Sequence, residues 1–164
     1  MIGKIQIHII AADEGTGGWK TMKSADDILI AEMQISDYDE MCELWRKTSG
    51  VGLSSADKKE YIEGFLSRNK GLSYVCRHNG KIVGTIMCGH DGRRGYIYHV
   101  AVVEEYRRRG IGRKLVETSL ERLKSEGIDK CHLFVIAENT IGKNFWTSMG
   151  WDRRDDIIVY SKSI

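Results

Sequence analysis

The sequence of 164 residues contains no proline at all. At the usual share of about 5%, a chain of this length would hold about eight. The absence excludes cis-proline from every turn of the protein.

Cysteine is also scarce, and its spacing forms no C-x-x-C pair, which argues against a zinc ribbon or a redox dithiol. Each cysteine falls in an apolar pattern, and free cysteine is among the most buried residue types. We therefore interpret all four as small core residues: Cys42, Cys76, Cys88 and Cys131.

Long apolar runs and strong net charge are missing as well. The apolar stretches Ile28 to Ala31 and Ile157 to Tyr160 are far shorter than the roughly 20 residues of a bilayer span. The N-terminus lacks the features of a secretion signal, so we expect a cytoplasmic protein. With 25 basic and 23 acidic residues, the overall charge gives no reason to expect nucleic acid or a membrane as a partner.

The apolar residues that are present make up 41% of the chain, enough to form the core of one domain. Their periodicity switches between two and 3.6 residues, and Asn79-Gly80 marks a hairpin between two apolar runs. From Ile28 onwards the pattern predicts a mixed α/β domain in the order strand, two helices, three meandering strands, helix, strand, helix and a last strand within Trp151 to Lys162.

Residues 1–27 differ from the rest of the chain. An apolar run from Ile5 to Ile10 is followed by a glycine-rich polar stretch from Asp13 to Gly18. We interpret residues 1–27 as an N-terminal extension, and two alternatives stay open, an added edge strand or a flexible segment. The apolar run also leaves open a homodimer interface.

The segment Val100 to Lys114 is the most informative stretch of the sequence. It joins an apolar strand to an amphipathic helix through a turn that contains two glycines and five cations. Backbone N–H groups at a helix N-terminus attract phosphate, and glycine lets the anion come close. Arginine adds donors that hold phosphate bidentately. The turn is therefore a candidate phosphate site.

Other phosphate motifs do not fit this turn. The sequence has no G-x-x-x-x-G-K-[ST] element, and Gly110 and Gly112 lack the third glycine of a dinucleotide fingerprint. The simpler alternative is a capped helix with a solvated basic first turn. That arrangement opposes the helix dipole unless an anion is bound.

These residues resemble a known family. The run Val100 to Val102, followed by Arg107-x-x-Gly110-x-Gly112, is similar to motif A of the GNAT superfamily of acyl-coenzyme A N-acyltransferases. The segment Asn139 to Trp151 resembles the family's second motif, N-x-x-A-x-x-F-Y-x-x-x-G-F. The turn Gly89 to Gly95 with Tyr98 resembles a small branch of uncharacterised bacterial members.

The resemblance implies a GNAT-like α/β fold over residues 28–164, in which a twisted, mostly antiparallel sheet splays around the cofactor and carries helices on both faces. It implies that an amine directly attacks the thioester of acetyl-CoA, that coenzyme A leaves, and that no metal takes part. The cofactor-binding residues it implies are Val100, Ala101, Val102, Arg107, Arg108, Arg109, Gly110, Ile111, Gly112, Arg113 and Asn139.

The match departs from the family in its acid and base. Trp146 stands where many members place the tyrosine that protonates the leaving thiolate, and an indole cannot do so at neutral pH. Phe134 stands where some members carry a catalytic glutamate. By two-residue alternation Tyr98 shares a face with Val100 and Val102, which makes it our candidate catalytic acid.

Other side chains stay open as catalytic or amine-binding groups. They are Tyr96 and His99 on the cofactor strand and His90, Asp91 and Arg93 on the preceding turn. His99 is expected to face the opposite side of the sheet from Tyr98. We exclude a Cys131–His132 pair because neighbours on a strand face opposite sides.

Two rival functions are also compatible with the sequence. A non-catalytic acyl-coenzyme A sensor would explain the missing tyrosine, and an RNA-binding domain would use the basic turn from Arg107 to Lys114. The acceptor amine, either a small molecule or a protein amine, cannot be read from the sequence because acceptor loops vary freely on one fold.

Overall fold

The computed structural model describes residues 7–9 and 28–164. The chain divides into two compact units, one ending at Phe134 and the other comprising Val135–Ile164. Most of the predicted extension 1–27 lies outside the described residues.

Over its described residues, the first unit contains a six-stranded sheet and three α-helices. The strands are β1 (Ile7–Ile9), β2 (Ile28–Glu32), β3 (Tyr74–His78), β4 (Lys81–His90), β5 (Gly95–Val102) and β6 (Cys131–Leu133), and the helices are α1 (Tyr38–Lys47), α2 (Lys59–Arg68) and α3 (Ile111–Ser125). The sheet order follows the strand numbers; β1–β2 and β5–β6 are parallel and the other pairs are antiparallel. The predicted mixed α/β architecture with a mostly antiparallel sheet is confirmed.

Helices cover both faces of this sheet. On one face α1 inserts Trp45, which is fully buried and donates from Nε1 to Oγ1 of Thr85 on β4 at 2.9 Å. On the other face α3 packs so closely that a Cβ added at Gly84 would lie 3.0 Å from Ile111 and one added at Gly95 would lie 2.6 Å from Leu123. Glycine on β4 and β5 therefore brings α3 close to the sheet.

A β-bulge interrupts the middle of β5. Tyr98 pairs with Met87 and Ala101 pairs with Thr85, so two residues of β5, His99 and Val100, oppose one residue of β4. His99 adopts a left-handed conformation with φ of 47°. The bulge shifts the side-chain alternation by one residue.

The predicted alternation along β5 is therefore wrong beyond Tyr98. Directly paired residues share a face, so Tyr98 shares its face with Ala101 rather than with Val102. The ring of His99 packs against Trp45, which places it on the α1 side as well. The periodicity of the sequence does not mark an inserted residue. Two-residue alternation therefore predicted the wrong face of the sheet for the residues after Tyr98.

The second unit contains one helix, α4 (Thr140–Ser148), capped by Asn139, whose Oδ1 accepts the backbone N–H of Gly142 at 2.8 Å. The predicted last strand within residues 151–162 is wrong, since these residues form neither strand nor helix. The apolar run Ile157 to Tyr160 is exposed. Its composition gives it only a propensity for β-strand, and this unit contains no strand with which it could pair.

Three of the four cysteines are core residues, as predicted, and the fourth is not. Cys42, Cys76 and Cys88 are buried, Cys131 is partly buried, and all four are free thiols. Burial raises the pKa of Cys76 to about 12, so its thiol stays protonated at neutral pH. Within the described residues, no helix is long and apolar enough to cross a membrane.

Candidate active site

The candidate site begins at the point where β5 is no longer paired with β6. The parallel ladder between β5 and β6 covers only Gly95 to Ile97, whereas β5 continues to Val102. From Tyr98 onwards β5 pairs with β4 alone among the described strands. This edge carries backbone groups that can pair with an extended ligand, as an added strand does.

The end of β5 leads through a short 3-10 turn, Glu104–Tyr106, into the N-terminus of α3. Gly110 precedes α3 with φ of 83°, and the space where its Cβ would stand is open to 4 Å. The backbone N–H groups of Arg108, Arg109, Gly110, Ile111 and Gly112 meet no acceptor within the described part of the chain. Unpaired donors at a helix N-terminus favour an anion.

The arginines of this turn lie in different places. Arg107 reaches back to the strand, where its Nε donates to the carbonyl of Val102 at 3.0 Å. Arg109 lies over the ring of Tyr106 at 5.1 Å. Arg108 has φ of 59°, which is unusual for a residue with a side chain and, like the left-handed His99, marks a segment held in a strained form.

These features fit the two parts of acetyl-CoA that the sequence predicted. The free amides and the guanidinium groups suit a pyrophosphate, and the unpaired edge of β5 suits the pantetheine arm. The carbonyl of Val102 is engaged by Arg107, so a ligand that pairs with Val102 must share or displace that contact.

The family model described as "Acetyltransferase (GNAT) family" matches residues 38–151. This range includes motif A in the first unit and the segment Asn139 to Trp151 in the second. The chain belongs to the GNAT family of acetyltransferases. It is 30% identical to an acetyltransferase of Photorhabdus laumondii over 129 residues, 78% of this chain and 90% of the relative. It is 28% identical to an acetyltransferase of Sodalis glossinidius over 128 residues, 78% of this chain and 89% of the relative.

Solved structures show the same fold. The PaiA N-acetyltransferase of Thermoplasma acidophilum, in complex with coenzyme A, superposes with a TM-score of 0.71 at 20% identity, covering 80% of this chain and 93% of the other. The AAC(6')-Iy structure, in complex with the bisubstrate analogue CoA-S-monomethyl-acetylneamine, gives 0.66 at 17% identity, covering 84% and 99%.

Tyr98 lies on the α2 side of the unpaired β5 segment. Its ring packs edge-on against Phe65 at 5.9 Å and stacks on Tyr96 at 6.5 Å, and 38% of the residue is exposed. Burial of the ring raises the pKa of Tyr98. The phenol is therefore protonated at neutral pH and can donate a proton.

His99 contacts residues that sequence reasoning did not connect with the site. Its Nε2 lies 2.6 Å from Oδ1 of Asp57, which belongs to a 3-10 turn (Ser55–Asp57) before α2. Trp45 packs on the imidazole at 4.5 Å between ring centroids. Thr85 donates its hydroxyl to the carbonyl of His99 at 3.0 Å. Nothing in the sequence around Asp57 marks it as part of the site.

The turn before β5 is held by its own side chains. The two ring nitrogens of His90 are taken, Nε2 by Glu126 at 2.9 Å and Nδ1 by the backbone N–H of Gly92 at 2.9 Å. The carboxylate of Asp91 accepts the N–H groups of Arg93 and of the next residue, and these bonds lower its pKa. Both ring nitrogens of His90 are therefore engaged, whereas the two N–H groups that Asp91 accepts both reach its Oδ1.

The second unit carries the remaining family residues. Asn139 uses its Oδ1 to cap α4, which leaves its amide nitrogen without a described partner. Trp146 packs edge-on against Phe145 at 4.9 Å and against Trp151 at 5.0 Å. The residue in the usual tyrosine position is thus part of an aromatic cluster.

Proposed function

We propose that the protein transfers the acetyl group of acetyl-CoA to a primary amine by direct attack of the amine on the thioester. One observation supports this proposal above all, namely that the two parts of the site are continuous with each other. The unpaired edge of β5 runs directly into the amide-lined turn at Gly110 within one unit. A ligand with an extended arm and a pyrophosphate suits that geometry.

In the proposed complex the amides from Arg108 to Gly112 hold the pyrophosphate, and guanidinium groups of the turn add charge-assisted bonds. The backbone of Val100 to Val102 pairs with the arm. A backbone N–H of this segment stabilises the negative charge that develops on the thioester oxygen. Acetyl-CoA supplies the reactive acyl group, and Asn139 contributes a contact to the arm, as the family resemblance implies.

Tyr98 is our proposed general acid for the departing thiolate. Its protonated phenol, its partial exposure and its position on the unpaired part of β5 support the assignment. Coenzyme A thiolate is a fair leaving group, so the benefit of protonation is modest. Trp146 has no acidic proton of comparable strength and cannot replace Tyr98 in this role.

The test of the proposed function is a turnover assay of the whole protein with acetyl-CoA and pooled primary amines. The pools comprise polyamines, aminoglycosides, amino acids and lysine peptides. We expect one pool to release free coenzyme A thiol, and mass spectrometry of that pool to show an acetylated amine in equal amount.

A second candidate function is the acyl-coenzyme A sensor, which Trp146 in the tyrosine position favours. Tight binding of coenzyme A without acetyl transfer to any pool would support the sensor and contradict the enzyme. Binding to neither coenzyme A nor amine would contradict both.

A further inference from the structure

Two histidine–carboxylate pairs lie on the β4–β5 region, and they differ in one respect. His90 has both ring nitrogens engaged, by Glu126 and by the N–H of Gly92. His99 has only Nε2 engaged, by Asp57. Nδ1 of His99 has no hydrogen-bond partner among the residues that the structure describes. It is therefore the ring nitrogen left for an outside group.

The carboxylate of Asp57 has a fixed orientation. Its Oδ2 accepts the backbone N–H of Ser54 at 2.6 Å and the Ser54 hydroxyl at 3.2 Å, while its Oδ1 faces His99. Tyr38 donates its hydroxyl to the carbonyl of Asp57 at 2.9 Å. An ionised carboxylate only accepts hydrogen bonds, so the hydrogen of the neutral imidazole resides on Nε2 and the lone pair on Nδ1.

Residues packed around His99 also hold its imidazole in place. Its face packs against Trp45, and its backbone carbonyl accepts from Thr85, whose hydroxyl in turn accepts from Trp45. The side chains of His99 and Asp57 are each only 14% exposed. A left-handed histidine costs conformational energy, and here the surroundings fix it at a candidate active site.

The position of His99 relates it to the proposed chemistry. It lies between Tyr98 and Val100 on the part of β5 that has no β6 partner. A primary amine has a pKa near that of lysine, about 10.4, so it reaches the site as a cation and must lose a proton to attack. A base is needed at this point, and an imidazole oriented by a carboxylate is suited to it.

We propose that His99 is the general base of the reaction and that Asp57 positions its ring; this inference rests on the proposed amine acetylation. As the amine nitrogen bonds to the acetyl carbon and the carbon–sulfur bond breaks, the electron pair leaves with sulfur. Nδ1 of His99 takes one proton from the ammonium group before the attack. The second proton, which the nitrogen loses on bonding, replaces through solvent the proton that Tyr98 gives to the thiolate. Asp57 accepts the Nε2 hydrogen throughout and stays ionised, and the imidazolium returns its proton to solvent.

The experiment is steady-state kinetics of His99→Gly with the amine found in the turnover assay. Glycine takes a positive φ readily, so the bulge is retained while the ring is removed. We expect kcat to fall about 100-fold or more. Added imidazole should recover at least about a tenth of the kcat that the substitution removes. Coenzyme A affinity, measured by calorimetry, should change less than about twofold.

Two further variants separate catalysis from structure. His99→Asn keeps a polar side chain that tolerates the left-handed region, and it should lose kcat without rescue by imidazole because the amide fills the space. Asp57→Asn should lower kcat about tenfold or more with the ring still in place. The matched control is His90→Gly, which removes the other paired histidine and should leave kcat within about twofold.

The outcomes are distinct. A His99→Gly protein as active as the wild type overturns this inference alone. Loss of kcat without imidazole rescue, accompanied by loss of coenzyme A affinity or a lower melting temperature, assigns the pair a structural role and also overturns it. If the wild type acetylates no amine, the proposed function fails first and this inference falls with it. Should His99→Gly not fold, the kcat of His99→Asn decides.

Discussion

The two sides of β5 are built from different parts of the sequence. The cofactor turn on the α3 side comes from one continuous segment, Val100 to Lys114. The cluster on the other side joins Trp45, Asp57, Thr85 and His99, which are up to 54 residues apart in the numbering. The first side is a local motif and the second exists only in the folded chain. We therefore expect the two sides to respond differently to substitution.

The largest effect is expected on the cofactor side. Gly112→Glu places a carboxylate in the turn where phosphate would bind, so coenzyme A affinity should fall at least about 100-fold while the fold is retained. Gly112→Gln is the control of equal size, and its loss should be smaller. Calorimetric titration measures both. Undiminished affinity in Gly112→Glu would place the phosphate site elsewhere.

On the other side, Thr85→Val tests whether the hydroxyl holds the bulge. The substitution leaves the buried Trp45 Nε1–H and the carbonyl of His99 without their partner. Each such group costs about 1 to 3 kcal/mol, so the free energy of unfolding should fall by about 2 kcal/mol or more. Thr85→Ser keeps the hydroxyl and should lose less. Equal denaturant midpoints for the two variants would contradict the role of the hydroxyl.

A smaller effect is expected from Tyr98→Phe, which keeps the ring and removes only the phenolic hydroxyl. We expect kcat to fall about tenfold and coenzyme A affinity to stay nearly constant, because the packing against Phe65 survives. Steady-state kinetics with the accepted amine measures this. An unchanged kcat would leave water as the proton donor.

The smallest effect is expected from deletion of residues 1–24. The deleted part includes β1, a three-residue strand at the edge of the sheet, and leaves β2 and the site residues in place. Coenzyme A affinity should stay within about twofold of that of the full chain. An insoluble or non-binding product would show that the N-terminal residues belong to the core or to an interface between copies.

The order of elements could be predicted from sequence because its signals are local. Asn79-Gly80 forms the β3–β4 turn with both residues at positive φ, and α3 follows Gly110 as expected. The last strand could not be predicted correctly, because β-like composition at Ile157 to Tyr160 does not specify a partner strand.

The candidate site likewise has one part that could be predicted from the sequence and one part that could not. Free amides and glycines of the cofactor turn are properties of one short segment, so the sequence indicated them directly. The bulge at His99 leaves no trace in the alternation of apolar residues, and the expected face of His99 was therefore wrong. The contact of His99 with Asp57 spans 42 residues and forms only when the chain has folded.

A calorimetric comparison of two ligands on the unmodified protein tests the phosphate site of the turn directly. Coenzyme A carries the pyrophosphate, whereas pantetheine keeps the arm and thiol but has no phosphate. If the turn at Arg107 to Gly112 holds the pyrophosphate, coenzyme A should bind at least about 100-fold more tightly, and added salt should narrow the difference. Equal affinities for the two ligands at low salt would mean that this turn does not hold the pyrophosphate.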